Sequence, residues 1–206
     1  MAEMMTDLDL VVGSMVLLRP DEDIDEFEEQ REAVSQVQDQ LREKGIVVDL
    51  LAQPGIEIWE GGIETMGALY QLSRLATRIE KDASIQEVLD DGPVIYEDNL
   101  DRYVTDVWDE LAQTRFPHLV NLQGTLSYYL PVDFEQPVTL PAQDANGEED
   151  EAFFGSSVRL QRELADLKEL LVQRGVSVRS QAFQCLEVLA EAAAQSLRYN
   201  MPVIVY

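Results

Sequence analysis

The chain has almost none of the residues that build cross-links and transition-metal sites. Its 206 residues include one cysteine, Cys185, and one histidine, His118. A single cysteine excludes an internal disulfide, and one cysteine with one histidine cannot supply the ligands of a Cys/His zinc site. Because Cys185 falls within the apolar pattern of a helix, we predict that it is a small core residue and not a nucleophile.

Basic residues are scarce as well. Lys and Arg number 15 against 40 Asp and Glu, which gives a net charge of −25. A surface of this sign repels phosphate backbones and anionic lipid headgroups, so the composition argues against binding nucleic acid or a membrane surface directly. The same surface attracts metal ions and basic proteins, and it also favours solubility without any specific partner.

Long apolar runs and phosphate-binding glycine loops are also missing. No run approaches the roughly 20 apolar residues of a membrane-spanning helix, and residues 1–9 lack the basic-then-apolar order of a signal peptide. We therefore expect a cytoplasmic protein. Gly61 and Gly62 precede a predicted helix without the third glycine or the lysine of nucleotide-binding loops, so we predict no bound cofactor.

The hydrophobic content of 46% is enough for one sizeable core, and we expect a single domain over residues 1–206. A nearly continuous apolar run at residues 8–18 predicts a strand buried on both faces. Apolar residues at helical spacing from Ile24 to Leu41 predict a helix that ends at Gly45, and residues 46–51 predict a second buried strand. These elements form a β-α-β unit with a right-handed crossover.

The remaining patterns predict the α+β class, with a mixed sheet of about five or six strands and about six packed helices. Residues 1–6 predict a loose leader, and the polar, acidic segment 141–153 predicts an exposed flexible loop. The other predicted elements are a loop or short edge strand at 53–62, a helix at 63–79, a helix opened by Ser84 and ending at Gly92, a strand at 93–96, a helix capped by Asn99, β-structure over 118–132, an edge strand at 137–141, helices at 155–175 and 183–197, and a strand at 202–206.

The most acidic stretch, PDEDIDEFEEQREA at residues 20–33, raises the question of a calcium loop. Asp21, Asp23 and Asp25 would occupy ligand positions 1, 3 and 5. Position 6 is Glu26, where the sharp turn of the loop requires glycine, and no helix precedes the stretch. Acids are equally expected in the first turn of a helix, where the macrodipole stabilises each by roughly 0.3–1 kcal/mol. We predict a helix start and no metal site.

Two weaker patterns could indicate catalysis. Ser156 or Ser157 would need His118 nearby to act as a nucleophile, and we predict instead that one of these serines caps the helix that follows. The pair Asp7 and Asp9 resembles the Asp-x-Asp motif of haloacid-dehalogenase-type phosphatases, but it lies at the start of a strand where that motif lies at the end. A second acidic run at residues 144–151 does not have calcium-loop spacing. We therefore predict no catalytic residue.

Four acids form a stripe on the predicted first helix. Glu22, Asp25, Glu29 and Glu32 lie on the face opposite Phe27, and this set is called the α1 acid stripe below. Like charges three or four residues apart repel by roughly 0.2–0.5 kcal/mol per pair. This repulsion is small enough to be tolerated on a solvent-exposed face. It is also compatible with a surface that contacts Lys and Arg of a partner.

The leading functional prediction is a non-enzymatic, cytosolic protein-interaction module that binds a basic protein. Its forms are an acidic inhibitor, an immunity-type protein or a mimic of nucleic-acid charge. One alternative is a carboxylate-based or metal-assisted hydrolase. Another is an acidic soluble domain whose charge suits a salty cytosol and marks no site, which agrees with only three lysines against twelve arginines.

The calcium question gives the first testable prediction. If residues 20–33 form a helix start, millimolar calcium should produce no saturable heat in titration calorimetry, because no oxygen cage is preformed there. A saturable site that disappears in Asp23→Asn would contradict this interpretation.

Overall fold

The structure is a computed structural model that describes residues 6–143 and 149–206. Over these residues the chain forms six strands and seven helices, which confirms the predicted α+β class with a mixed sheet. The elements are β1 (Leu8–Gly13), α1 (Ile24–Glu43), β2 (Glu57–Ile63), α2 (Met66–Glu80), α3 (Gln86–Asp91), α4 (Arg102–Trp108), α5 (Pro117–Val120), β3 (Ser127–Leu130), β4 (Val138–Gln143), β5 (Glu149–Ser156), α6 (Ser157–Gln173), α7 (Gln181–Tyr199) and β6 (Val203–Val205).

The six strands form one sheet in the order β2-β1-β6-β3-β5-β4. Among the described strands, only the β3–β5 pair is parallel, and the other neighbours are antiparallel. The edge strands are β2 and β4. Both overlap the segments for which the sequence predicted an edge position.

One face of the sheet packs against most of the helices. In β1 the alternate residues Leu8, Leu10 and Val12 point to this face and are buried, as expected for the two-residue period of a strand. Cys185 is buried there too, as predicted. We call this cluster the helical-side core, and its members include Leu8, Leu10, Val12, Ile63, Leu72, Leu75, Tyr129, Phe153, Leu164, Leu167, Cys185, Leu189, Val203 and Val205.

The opposite face of the sheet carries a smaller core beneath α1. The helix contributes Val34 and Leu41, which are seven residues apart and therefore lie on one side of it. We call this cluster the α1-side core, and its buried members are Val16, Val34, Leu41, Ile46, Leu50, Leu130, Leu140, Ala152 and Phe154. Helix α1 is thus held on the sheet by one apolar side while its other sides meet solvent.

The first strand is shorter than predicted, because β1 ends at Gly13 and not at residue 18. A Cβ atom at Gly13 would lie 2.5 Å from the carbonyl oxygen of Ile56, so only glycine fits this close approach. The Ser14 hydroxyl then donates to the Ile56 carbonyl oxygen and accepts from the Ile56 N–H. These contacts turn the chain out of the sheet.

The prediction of a buried strand at residues 46–51 is wrong. The β-α-β order exists, but its second strand is β2, which pairs antiparallel with β1, so the predicted right-handed crossover between parallel strands is wrong as well. Residues 46–51 instead form an irregular segment that covers the α1-side core with Ile46 and Leu50. Gln38 accepts a hydrogen bond from the Leu50 N–H at 2.7 Å, which ties this segment to α1.

The β-structure predicted over residues 118–132 is divided. Pro117 opens the short helix α5, and only Ser127–Leu130 form a strand. The Glu163 carboxylate accepts hydrogen bonds from the backbone N–H groups of His118 and Leu119, at 3.2 and 3.0 Å. Free N–H groups at a helix start need such an acceptor, and a contact to a residue 45 positions away could not be predicted from local sequence.

Local details between residues 84 and 101 also differ from the prediction. Residues 93–96 form no strand, and Ile95 and Tyr96 are exposed. The N-cap of α3 is Ile85 and not Ser84, although the Ser84 hydroxyl accepts a hydrogen bond from the Gln86 N–H at 3.3 Å. The helix ends with Gly92 as its C-cap, as predicted. Asp101, and not Asn99, caps α4, because its carboxylate accepts from the Tyr103 N–H and also binds two arginines of α2.

The flexible acidic loop predicted over residues 141–153 is wrong at both ends. Residues 141–143 belong to β4 and residues 149–153 belong to β5, which pair with each other. Residues 144–148 lie outside the described residues, as do residues 1–5 of the predicted leader. The single-domain prediction stays a prediction.

His118 joins α5 to the start of α6. It is fully buried, its Nδ1 atom accepts a hydrogen bond from the Ser156 N–H at 3.0 Å, and Nε2 lies 3.4 Å from the Glu135 carbonyl oxygen. Burial lowers the pKa of His118 from 6.5 to about 4. The neutral imidazole with a proton on Nε2 therefore fits this site, because a protonated Nδ1 would face the Ser156 N–H.

The first prediction from the fold concerns β1. Val12 is fully buried in the helical-side core, so Val12→Asp buries an unpaired charge and should lower the free energy of unfolding by more than about 3 kcal/mol. Urea unfolding followed by tryptophan fluorescence measures the change. The matched control is Val47→Asp, because Val47 is 73% exposed and the same substitution there should cost little. Equal stability of the two variants would show that the core is assigned wrongly.

The second prediction concerns acid stability. The lowered pKa of His118 means that its contribution to stability is present above pH 6.5 and is lost as the pH falls towards 4, with a size of about 3 kcal/mol. His118→Gln keeps an acceptor but cannot take up a proton. The stability difference between parent and variant should therefore shrink by about this amount between pH 7 and pH 4. Parallel stability curves over that range would contradict the prediction.

Candidate partner-binding acidic surface

The acidic stretch at residues 20–33 forms the start of α1. Asp23 is the N-cap, and its carboxylate accepts hydrogen bonds from the N–H groups of Asp25 and Glu26 at 3.1 and 3.2 Å. Glu22 precedes the helix and accepts from the Arg19 N–H at 2.8 Å. The local structure is thus the helix start that the sequence predicted. Asp25 and Glu26 lie in the first turn, where the helix macrodipole favours negative charge.

All four residues of the α1 acid stripe are exposed to solvent. Three of them lie in α1, and the buried residues Val34 and Leu41 hold the opposite side of the helix on the sheet. The five acids and one arginine between Asp25 and Glu32 carry a net charge of −4 over about 10 Å of helix axis. That is about one charge per 3 Å, close to the 3.4 Å per phosphate along one strand of B-DNA.

The α1 acid stripe is not neutralised by basic side chains. Among the described residues, no member of the stripe forms an ion pair, whereas nine of the fifteen Lys and Arg pair with acids elsewhere. Of these nine, only Arg42 belongs to α1, and it pairs with Asp39 near the far end of the helix. The paired cations thus lie away from the start of α1, and within the described residues Arg19 and Arg31, which are near the stripe in sequence, form no ion pair.

The network around Asp101 is an example of basic side chains that form ion pairs away from α1. Arg74 and Arg78 of α2 both bind the Asp101 carboxylate, at 3.1 and 2.7 Å, and Arg74 also pairs with Asp91. The Tyr70 hydroxyl accepts a hydrogen bond from the Asp101 N–H. These buried contacts tie α2 to α4 on the helical side of the sheet. Similarly, hydrogen bonds from Arg159 lower the pKa of the exposed Asp133.

Three further acids lie beside α1 on the β4–β5 hairpin. Glu149, Asp150 and Glu151, called the hairpin acids below, are exposed, and none of them forms an ion pair within the described part of the chain. Asp150 is opposite Ala142 in the strand register. The next pair along, Leu140 and Ala152, belongs to the α1-side core, so Asp150 points to the face of the sheet that carries α1.

A groove of ≈ 840 Å³ separates α1 from the hairpin. Its α1 side is formed by Ala33, Gln36, Val37 and Gln40, and its hairpin side is formed by Pro141, Ala142, Gln143 and the three hairpin acids. Ala33 and Gln36 each lie one helical turn after an acid of the stripe, Glu29 and Glu32 respectively. The stripe therefore borders the groove at the N-terminal end of its helical wall. By the same alternation Glu149 and Glu151 point to the opposite face, so of the three hairpin acids the structure brings Asp150 to the face of the sheet that carries the α1 acid stripe.

Sequence reasoning missed the hairpin acids as part of a site. It assigned them to a flexible loop because Glu149–Glu151 lack strand-forming residues. Strand pairing with residues 141–143 overrides that local preference. The alternation of Leu140 with Ala142, and of Ala152 with Phe154, is the signal that could have indicated two paired strands.

The serine and aspartate patterns do not form catalytic arrangements. Ser156 meets His118 only through its backbone N–H, while its hydroxyl donates to the Val132 carbonyl oxygen and caps α6, as predicted for one of the two serines. The Ser157 hydroxyl bonds to Ser196. Asp7 accepts from the Met66 N–H at the start of α2.

Two negative observations apply to residues 6–143 and 149–206. No group of three or more His, Cys, Asp or Glu side chains there is placed to hold a metal ion. No helix in that part of the chain is long and apolar enough to cross a membrane.

Comparison with known protein families identifies the chain. The model of the family described as "Putative DNA-mimic protein" matches residues 6–205, and the chain belongs to that family. No curated protein and no solved structure matches it.

The family match corrects the functional prediction. The prediction of an acidic inhibitor or immunity-type protein is wrong, because the family is described by mimicry of DNA, whereas the predicted basic partner agrees in part, since a DNA mimic implies a DNA-binding partner. The family description also favours mimicry of DNA over the two alternatives, a hydrolase and an acidic domain without a charge-based site.

Proposed function

We propose that this chain binds a DNA-binding protein at the surface that otherwise holds DNA. The α1 acid stripe and Asp150 form the contact, and they take the place of phosphates. The family description supports the class of partner. The observation that carries the proposal is the exposed acidic surface beside α1, which forms no ion pair within residues 6–143 and 149–206, whereas nine of the fifteen Lys and Arg pair with acids elsewhere.

Electrostatics favours such a partner over others. DNA-binding surfaces are rich in Lys and Arg and derive much of their affinity from neutralising phosphates. A chain with a net charge of −25 attracts these surfaces over a distance set by the salt concentration, about 10 Å at 0.1 M. Complementary charge mainly raises the rate of association. The proposed place of action is the cytosol, where the partner would meet both DNA and this chain.

Competition by DNA tests the proposal. The chain is immobilised, exposed to a cell extract treated with nuclease, and washed at moderate salt. Duplex DNA at constant ionic strength should then elute the retained partner, because DNA and the chain compete for one surface. Retained proteins that do not bind DNA, or that remain on the column when DNA is added, would contradict the proposal.

The α1 acid stripe gives a matched prediction. The quadruple variant Glu22→Gln, Asp25→Asn, Glu29→Gln, Glu32→Gln should slow association with the eluted protein by about tenfold at low salt and flatten its dependence on ionic strength. Its stability should change little, because all four side chains are exposed and the relief of their mutual repulsion offsets the lost interaction of Asp25 with the helix macrodipole. Stopped-flow association at several salt concentrations measures the effect.

The control variant removes the same charge from other elements. Asp98→Asn, Asp109→Asn, Glu169→Gln and Glu191→Gln also change exposed acids that form no described ion pair, and both variants reduce the net charge from −25 to −21. The control should bind nearly as fast as the parent. Equal slowing in the two variants would indicate that net charge alone attracts the partner and that the stripe is not the contact.

A further inference from the structure

The groove between α1 and the β4–β5 hairpin has a neutral floor and a neutral helical wall, and its hairpin wall is acidic. Val37 and Ala142 are half-buried and pack against the α1-side core, so they form its floor. Gln36 and Gln40 stand on the α1 side and Gln143 stands on the hairpin side. The α1 acid stripe borders one end of the helical wall, and the hairpin acids belong to the other wall.

The glutamines of α1 fall into two groups. Gln30 accepts hydrogen bonds from the N–H groups of Leu17 and Leu18, and Gln38 accepts one from Leu50, so these two hold neighbouring segments on the helix. Gln36 and Gln40 are exposed in the groove, and within the described residues their side chains form no hydrogen bond. Their amide groups are therefore available to a partner.

We infer that this groove receives the element with which a DNA-binding protein reads base edges. The inference rests on the proposed function and extends it from mimicry of phosphates to mimicry of a DNA groove. The α1 acid stripe beside the end of one wall and Asp150 on the other wall correspond to the two phosphate backbones. The amides of Gln36 and Gln40 correspond to the base edges between them.

The chemistry of the amide group supports this occupant. A glutamine side chain offers two N–H donors and one carbonyl acceptor, and base edges in the major groove likewise offer donors and acceptors side by side. Arg, Asn and Gln, which read bases through paired hydrogen bonds, can pair with a side-chain amide in the same way. Lys and Arg that flank such an element meet the α1 acid stripe and Asp150. A contact through charge alone would make no use of the amides.

Two probes separate groove recognition from charge attraction. The first is the DNA-binding protein that duplex DNA elutes from the immobilised chain, and the second is deca-arginine, which carries charge without a base-reading element. The variant Gln36→Ala, Gln40→Ala should bind the eluted protein about tenfold more weakly, since a paired hydrogen bond to a base edge contributes on that scale. It should bind deca-arginine as the parent does, because no charge changes. Titration calorimetry measures both affinities.

A second variant blocks the groove without removing an amide. Ala33 is exposed in the groove lining, so Ala33→Trp should fill the space at little cost in stability and weaken binding of the eluted protein. The controls are Gln161→Ala with Gln173→Ala, and Ala165→Trp, at exposed positions of α6. These controls should leave both affinities unchanged.

The outcomes distinguish this inference from the proposed function. Unchanged affinity of the Gln36, Gln40 variant for the eluted protein, together with weaker binding by the α1 acid stripe variant, would overturn the groove inference and leave the proposed function standing. An equal loss for deca-arginine would also overturn the groove inference, since the amides would then act on any cation. If the stripe variant also bound the eluted protein normally, the proposed function itself would fail.

Discussion

The packing of α1 on the second face of the sheet is the interaction on which the acidic surface depends. Val34 and Leu41 hold the helix over Leu140 and Phe154, and Gln38 ties the following segment to it. Because one side of the helix is fixed in this way, the α1 acid stripe must face solvent. The same packing places the middle of α1 along the β4–β5 hairpin and creates the groove between them. A helix that rotated on the sheet would bury acids and lose the groove together.

The distribution of charge follows a division between the two faces of the sheet. On the helical side, basic residues connect elements that are distant in sequence, as Arg74 and Arg78 connect α2 to Asp101. On the α1 side, apolar contacts and glutamines that accept backbone N–H groups hold the elements, and Arg19 donates to the Gly55 carbonyl oxygen. Repulsion within the stripe costs only roughly 0.2–0.5 kcal/mol per close pair. The fold therefore supports a dense negative surface without a large loss of stability.

Local patterns in the sequence were enough to predict α1, its acid stripe and the alternation of strands with helices. They predicted these features because helical spacing from Phe27 to Leu41 and the acids of the first turn are properties of neighbouring residues. They failed where distant contacts decide. Residues 46–51 have the composition of a strand, but the position beside β1 is occupied by β2, so Ile46 and Leu50 cover a core instead.

The site was predicted only in part for the same reason. Residues 149–151 have the composition of a loop, yet pairing with residues 141–143 makes them part of β5 and brings Asp150 to the face that carries α1. The groove and the available amides of Gln36 and Gln40 depend on that long-range pairing. Neither the groove nor the availability of these amides can be read from the positions of the acids in the sequence. The distinction between a charged stripe and a groove with an acidic hairpin wall therefore requires the three-dimensional structure.

Displacement of DNA tests the central claim most directly. A fluorescent duplex is bound to the DNA-binding protein recovered with this chain, and the chain is titrated into that complex while fluorescence anisotropy is recorded. If the chain occupies the DNA-binding surface, the anisotropy falls to the value of free duplex. An anisotropy that stays constant, or rises because a ternary complex forms, would contradict mimicry of DNA.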